Sequence, residues 1–182
     1  MRTALLMIDI QNDYFPGGKN ELVGSPEAGI MAKRLLEAFR EKKLRIIHIQ
    51  HISTRSGATY FVQNTTGVRF NEHVTPLPGE IVIIKHFPNS FRNTELLDVL
   101  KKAGVGRLVI CGMMTHMCID STTRAAFDLG FDCIVAQDAC ATKDLSFDDR
   151  VIPAETVHRV ILSALNGMFA KVMPAEKALA EL

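Results

Sequence analysis

The chain has no surplus of either charge: 21 Lys and Arg stand against 20 Asp and Glu, a formal net charge of +1 over 182 residues. It also has no Lys/Arg-rich block, so the basic face that a nucleic-acid binder offers to phosphate is missing. No apolar run approaches the roughly 18–20 residues that a membrane helix requires. The opening MRTALLMIDIQND reaches Asp9 too early for a secretory leader. A soluble, cytoplasmic protein with neither nucleic-acid nor membrane partners is therefore expected. The four cysteines, Cys111, Cys118, Cys133 and Cys140, include no CxxC pair, and a cytosolic chain of this size needs no disulfides. No GxGxxG phosphate loop follows the first apolar run, where Gln11-Asn12-Asp13-Tyr14 adds negative charge instead. That argues against a nucleotide- or flavin-binding module. No repeat, linker or low-complexity tract divides the chain, and one domain spanning residues 1–182 is expected.

What is present is a core and a rhythm. Hydrophobic residues make up 47% of the chain, ample for a buried interior. Short runs rich in Ile and Val predict strands at Ala4–Ile10, Arg45–Gln50, Ile81–Lys85, Arg107–Gly112, Asp132–Gln137 and Phe169–Met173. Four of them are almost continuously apolar, as parallel strands covered on both faces are. Between them, Met31, Leu35, Ala38 and Phe39 recur at helical spacing, with Lys33, Arg34, Glu37, Arg40 and Glu41 turned to water. Ser25 before Pro26 reads as the N-cap. Leu96, Leu97, Leu100 and Ala103 form a second stripe, capped by Asn93 and ended by Gly104. Further helices are expected from Met117 to Leu129 and from Pro153 to Gly167. Strands alternating with helices make a parallel α/β sheet with right-handed crossovers. The long stretch His51–Pro78 reads as the wall of a site.

Ligands of such a sheet bind beyond the carboxyl ends of its strands. There the sequence places Asp9 at the end of strand 1, Gln50 and His51 at the end of strand 2, Lys85 and His86 at the end of strand 3, and Cys118 at a helix start after strand 4. An acid, a lysine and a thiol thus converge from separate strands. The thiolate is the reactive form of cysteine, and a helix N-terminus and a nearby lysine both favour it. A carboxylate beside it can take the thiol proton and return it to a leaving amine. N–H groups of the loop Gly112–Cys118 can hold a developing oxyanion.

These residues carry a resemblance. ALLMIDIQNDYFPGG at residues 4–18, a lysine closing strand 3, and VICGMMTHMCIDSTTRAAFDLGFDCIVAQDAC at residues 109–140 resemble the isochorismatase-like cysteine hydrolases, relatives of nicotinamidases and N-carbamoylsarcosine amidohydrolases. The resemblance implies a three-layer α/β/α sandwich on a six-stranded parallel sheet of Rossmann-like kind. It implies a catalytic triad of Asp9, Lys85 and Cys118, a cis peptide joining Met113 to Met114, and oxyanion donors at the N–H groups of Met114 and Cys118. It further implies a homo-oligomer, a dimer or tetramer, which the apolar Ala178, Leu179 and Leu182 of the last helix would permit.

Departures from the family pattern select a branch. Nicotinamidases carry a metal-binding Asp-x-His after strand 2, whereas this chain reads Gln50-His51-Ile52-Ser53. One histidine makes no zinc or iron site without more ligands, which His73 or His86 would have to supply. A metal-free, cofactor-free site is expected. Isochorismatases that cleave a vinyl ether generally lack the cysteine, so Cys118 favours attack on a carbonyl. The expected activity is hydrolysis of a C–N bond in a small amide, carbamoyl or ureido substrate through a thioester. The alternatives are a vinyl ether hydrolase, or a silent or redox-sensing relative using Cys118. Substrate contacts are assigned to Tyr14, Gln50, His51, Tyr60 and Phe87. Tyr14 and Phe15 either stack on a planar substrate or pack under the long loop. Phe87 and Phe91 form either a lid or an oligomer contact. His116 faces solvent or a neighbouring subunit, Asp138 anchors a turn, Arg124 and His158 are structural, and Cys111, Cys133 and Cys140 are core thiols.

Overall fold

The computed structural model describes residues 1–182. Its first apolar run forms β1 (Arg2–Ile8), followed by α1 (Ser25–Glu41), β2 (Arg45–His51) and β3 (Ile81–Lys85). Next come α2 (Leu96–Lys102), β4 (Val105–Met113), α3 (Asp120–Asp128) and β5 (Asp132–Ala141). A small hairpin of β6 (Leu145–Phe147) and β7 (Arg150–Ile152) precedes α4 (Ala154–Leu165), β8 (Lys171–Met173) and α5 (Ala175–Ala180). Six strands form one parallel sheet in the order β3-β2-β1-β4-β5-β8, with helices on both faces. The three-layer expectation holds. No helix is long and apolar enough to cross a membrane.

The layers follow from strand period. Successive side chains of β1 point to opposite faces, so Leu5 and Met7 join one core with Leu35, Leu36 and Phe39 of α1 and Ala175 and Ala178 of α5. Ala4, Leu6 and Ile8 join the other with Leu96 and Leu100 of α2, Ala126 of α3 and Leu162 of α4. A continuously apolar β1 is what two covered faces demand. From β1 the chain builds outward through β2 and β3, then returns to lay β4 on the other flank of β1. The order reverses at the β1/β4 pair, the place where such sheets open a crevice for ligands. There Gly112 has φ +130°, and a Cβ on it would stand 1.9 Å from the Ile8 carbonyl oxygen. Only glycine lets the two strands close at that point.

Several local expectations are corrected. β1 stops at Ile8 because Asp9 turns to φ 52°. Gly24, at φ 74°, holds the cap position of α1 and Ser25 is already helical. Asn93 caps nothing; it sits at φ 55° in a turn, and α2 begins only after Glu95. The helix expected from Met117 opens instead as a π-helical turn, Thr115–Ile119, before α3. β8 starts at Lys171, since Phe169 leaves the strand line to pack its ring edge-on against Phe127, 5.4 Å away. Arg40 does not simply face water: its guanidinium is bidentate to Glu80 at 2.7 and 2.9 Å. Ala178 is fully buried, and Leu179 and Leu182 are partly buried against the chain's own core, so the last helix does not present the three as exposed apolar residues. The hairpin β6–β7 was not foreseen, its strands being only three residues each.

Candidate active site

Three backbone features aim side chains into the crevice. The left-handed Asp9, a conformation aspartate tolerates better than most residues, hangs from β2 by its N–H on the Ile49 carbonyl (3.1 Å). Lys85 closes β3, in register with His51 of β2. Cys118 rides on the π-helical turn that follows the cis peptide Met113–Met114. Asp9 and Lys85 are 0% exposed and Cys118 3%, yet all three meet beneath one cleft. The Lys85 ammonium stands 2.7 Å from Asp9 Oδ2 and donates to the Pro88 carbonyl at 3.0 Å. His51 Nδ1 lies 3.8 Å from the same Asp9 oxygen. The polar atoms of Asp9, His51 and Cys118 all fall within 4.8 Å of one another.

A buried ion pair persists only where each charge compensates the other. Burial pushes the Asp9 carboxyl up, but the Lys85 charge, then His51, outweigh it and hold it below its ordinary value. Burial disfavours the Lys85 ammonium as well, and Asp9 foremost raises it above the ordinary lysine value. Cys118 goes the other way. Burial, then the Asp9 charge, push its thiol far above the ordinary range, and Lys85 offsets only part of this. The expectation of a resting thiolate is therefore corrected. These shifts favour a carboxylate, an ammonium and a neutral thiol, because a largely buried anion at Cys118 would face Asp9 with little water to screen it.

The cleft above them has a volume of about 250 Å³, with Tyr14, His51, Tyr60, Phe61, His86, Met114, Met117 and Cys118 among its lining residues. Tyr14, His51 and Tyr60 thus stand where substrate contacts were expected. Phe61, missed in the sequence, is the hub of this wall: its ring centroid lies 4.6 Å from Tyr14, 5.2 Å from Tyr60 and 5.6 Å from His51. It adopts φ 56° and is held by its N–H, which donates to Asp13 Oδ2 at 2.6 Å. Asp13 Oδ1 accepts from the Lys19 N–H (3.2 Å). A Cβ on Gly67 would fall 2.0 Å from Asp13 Oδ1, so glycine there lets the long loop close on the carboxylate. Gln11, also unassigned in the sequence, clamps His51. Its Nε2 donates to the His51 carbonyl (2.9 Å) and its Oε1 accepts from the His51 N–H (2.8 Å).

Two other expected substrate contacts fail. Gln50 is outside the cleft and donates Nε2 to the Val68 carbonyl at 2.9 Å, tying down the long loop. Phe87 is outside it too, covered by the Arg92 guanidinium at 3.8 Å. Phe91 stacks on Phe131 at 6.1 Å and packs on the opposite core, so neither ring is a lid. His116 is half-buried and bonds Thr142 Oγ1 through Nδ1 (2.5 Å). His158 reaches Thr115 Oγ1 at 2.9 Å, and Asp138 anchors α5 by accepting the Ala175 N–H at 2.7 Å. His86 reaches the cleft but turns Nδ1 to the Ile52 carbonyl (2.7 Å). Neither His73 nor His86 joins a ligand cluster with His51.

The Met114 N–H has no acceptor in the chain, while its carbonyl accepts from Met117 and Ile119 at 3.1 and 3.2 Å. A thiol, a proton-accepting carboxylate, a fixed cation and a free N–H around one cleft can together attack a carbonyl and hold the charge that develops.

This architecture has known counterparts. A family model described as the isochorismatase domain matches residues 3–177. The uncharacterized isochorismatase family protein YddQ of Bacillus subtilis is 50% identical over 176 residues, 97% of this chain and 98% of its own. A crystal structure assigned to an isochorismatase hydrolase from Oleispira antarctica superposes with a TM-score of 0.95 at 46% identity, covering 98% of this chain and 96% of that one. At greater distance, the ureidoacrylate amidohydrolase RutB of Azorhizobium caulinodans is 25% identical over 170 residues, 75% of each chain. With the family model spanning nearly its whole length and half its residues shared with YddQ, the chain belongs to the isochorismatase family.

Proposed function

We propose that the protein is a cysteine hydrolase that cleaves a C–N bond of a small amide, carbamoyl or ureido compound with Asp9, Lys85 and Cys118 as its catalytic residues. The observation that carries this reading is the meeting of a buried thiol with a buried carboxylate–ammonium pair under one cleft. The amidohydrolase relative, whose named substrate is a ureido compound, supports the same class of bond.

The resting charges set the order of events. The raised thiol pKa favours loss of the proton as sulfur bonds to carbon, not beforehand. Cys118 Sγ attacks the carbonyl carbon while the thiol proton passes to Asp9. The carbonyl oxygen takes the negative charge and is held by the N–H groups of Met114 and Cys118, where one such donor is typically worth about 10²–10³ in rate. Asp9 then passes the proton to the nitrogen, the C–N bond breaks, and ammonia or an amine leaves. Water attacks the thioester, Asp9 takes its proton, and the acid product departs as Cys118 recovers its own. Lys85 keeps Asp9 ionised at the start and balances the charge as the proton moves. Every step is completed by side chains and backbone N–H groups of this chain with one water, so the reading needs no metal. A redox-sensing role is disfavoured, because oxidation selects exposed, low-pKa thiols and Cys118 is buried with its pKa raised.

Ammonia or amine release from a panel of small amides, carbamoyl and ureido compounds tests this. Wild type should turn over at least one of them, and Cys118→Ala should lose that activity entirely. Release that survives in Cys118→Ala would remove the nucleophile from the scheme.

A further inference from the structure

Asp9 is an under-served acceptor. Both its carboxylate oxygens are shut off from water with no partner in hydrogen-bond geometry; Lys85 approaches Oδ2 to 2.7 Å outside that geometry. Such a group in a closed site calls for an explanation, and a bound ion is one of the usual ones. Two further electron-pair donors face the same point, for the ligand atoms of Asp9, His51 and Cys118 lie within 4.8 Å of one another. Carboxylate oxygen, imidazole nitrogen and thiolate sulfur are the donors zinc-class ions take, at about 2.0–2.3 Å from the metal. Closing the three onto one ion asks for movements of about an ångström. His51 is the member best placed to make them, being half-buried on the cleft side where an ion would enter.

We infer that the Asp9 carboxylate, His51 and Cys118 form a site for one zinc-class divalent cation, and that the ion occupies the nucleophile and so blocks it. This ligand set differs from the Asp-x-His motif that nicotinamidases carry, which the chain lacks at Gln50–Ser53; it enlists the sulfur and the strand-1 acid instead. The binding step is a substitution: the Cys118 S–H bond breaks, an S–metal bond forms, and the proton leaves to solvent, with nothing oxidised or reduced. A coordinated thiol is deprotonated outright, so the ion supplies the charge that the resting site withholds from the sulfur. The Lys85 ammonium stays on the Asp9 carboxylate and repels the second cation, which makes the site reversible and not structural. Binding stands apart from the hydrolase reading; only the consequence that the ion inhibits rests on it.

The test uses Co²⁺ as probe, titrated without substrate into the full chain and followed by the thiolate-to-cobalt charge-transfer band. One cobalt per chain is expected, with the band absent in Cys118→Ser, affinity more than about tenfold weaker in His51→Gln, and Cys133→Ser unchanged. In wild type, one equivalent of Zn²⁺ should protect Cys118 from iodoacetamide at the alkaline pH where the free thiol reacts, and EDTA should lift the protection. The inference is overturned if the band persists in Cys118→Ser or if His51→Gln binds Co²⁺ as wild type does. Alkylation of Cys118 at its metal-free rate in the presence of Zn²⁺ would overturn it too, and this last arm needs no variant to fold. Because no arm involves turnover, a failed amide panel leaves the result standing, and a failed titration leaves the panel standing.

Discussion

Lys85 keeps a full charge with none of its surface in water, and it can do so only because Asp9 lies 2.7 Å away. The same carboxylate that stabilises the ammonium disfavours a second anion, so Cys118 pays with a raised pKa. A single pair of residues thus sets the protonation of the third. One outcome is directly measurable. Iodoacetamide alkylation of Cys118, followed by peptide mass spectrometry across pH, should rise only above the ordinary thiol value of 9.0. A plateau reached at neutral pH would mean that the thiolate preexists. The sequence showed which three residues meet but misjudged this charge state, since burial is a property of the assembled cleft. Helix start and lysine are both legible in a sequence; the loss of water around the sulfur is not.

At the scale of elements, the strands were legible because parallel strands covered on both faces leave an apolar run. Their order and the crevice at their carboxyl ends follow from topology rules that leave few choices. What stayed hidden depends on long-range fit. The π-helical turn at Thr115–Ile119 looks like any helix start in sequence, and Gln50 carries nothing in its neighbours to show that it serves Val68 and not the cleft. The wall of the site was equally opaque. Asp13 holds Phe61 from 48 positions away through a 2.6 Å hydrogen bond, and no local pattern encodes that. Asp13→Ala leaves the Phe61 and Lys19 N–H groups without their acceptor. Hydrogen bonds to a charged group are worth about 1.5–3 kcal/mol, and a stability loss of that order is expected, with amide exchange accelerated over residues 59–67. Asp13→Asn, which keeps an acceptor oxygen, should recover part of both. Unchanged exchange at Phe61 in Asp13→Ala would show that the wall stands without the carboxylate.

Across the whole molecule, one side of the sheet is tied to its edge by Glu80, just before β3. Glu80 takes Arg40 of α1 bidentately and His48 of β2 at 2.9 Å. Burial would raise its carboxyl, but Arg40, the Leu77 N–H and His48 outweigh that and hold it at about 2, against an ordinary 4.5. A carboxyl depressed on folding contributes stability that is present above its unfolded value and is lost as pH falls toward its folded one. For Glu80 that window runs from 4.5 down to about 2; Asp9, also depressed, adds in the same direction. Denaturant unfolding should find Glu80→Gln less stable than wild type by about 1.5–3 kcal/mol near neutrality, with the gap narrowing as pH drops through the window. A gap that stays constant down to its lower end would assign Glu80 a packing role instead of an electrostatic one.

The thioester itself is the sharpest point of contact with experiment. The protein is mixed with an amide it turns over, quenched in acid during turnover, and weighed intact. The expected spectrum shows a second species heavier by the acyl group of that amide, mapped to Cys118 and absent in Cys118→Ala. Steady release of amine with no such species at any quench time, or an adduct on another residue, would contradict covalent hydrolysis at this sulfur.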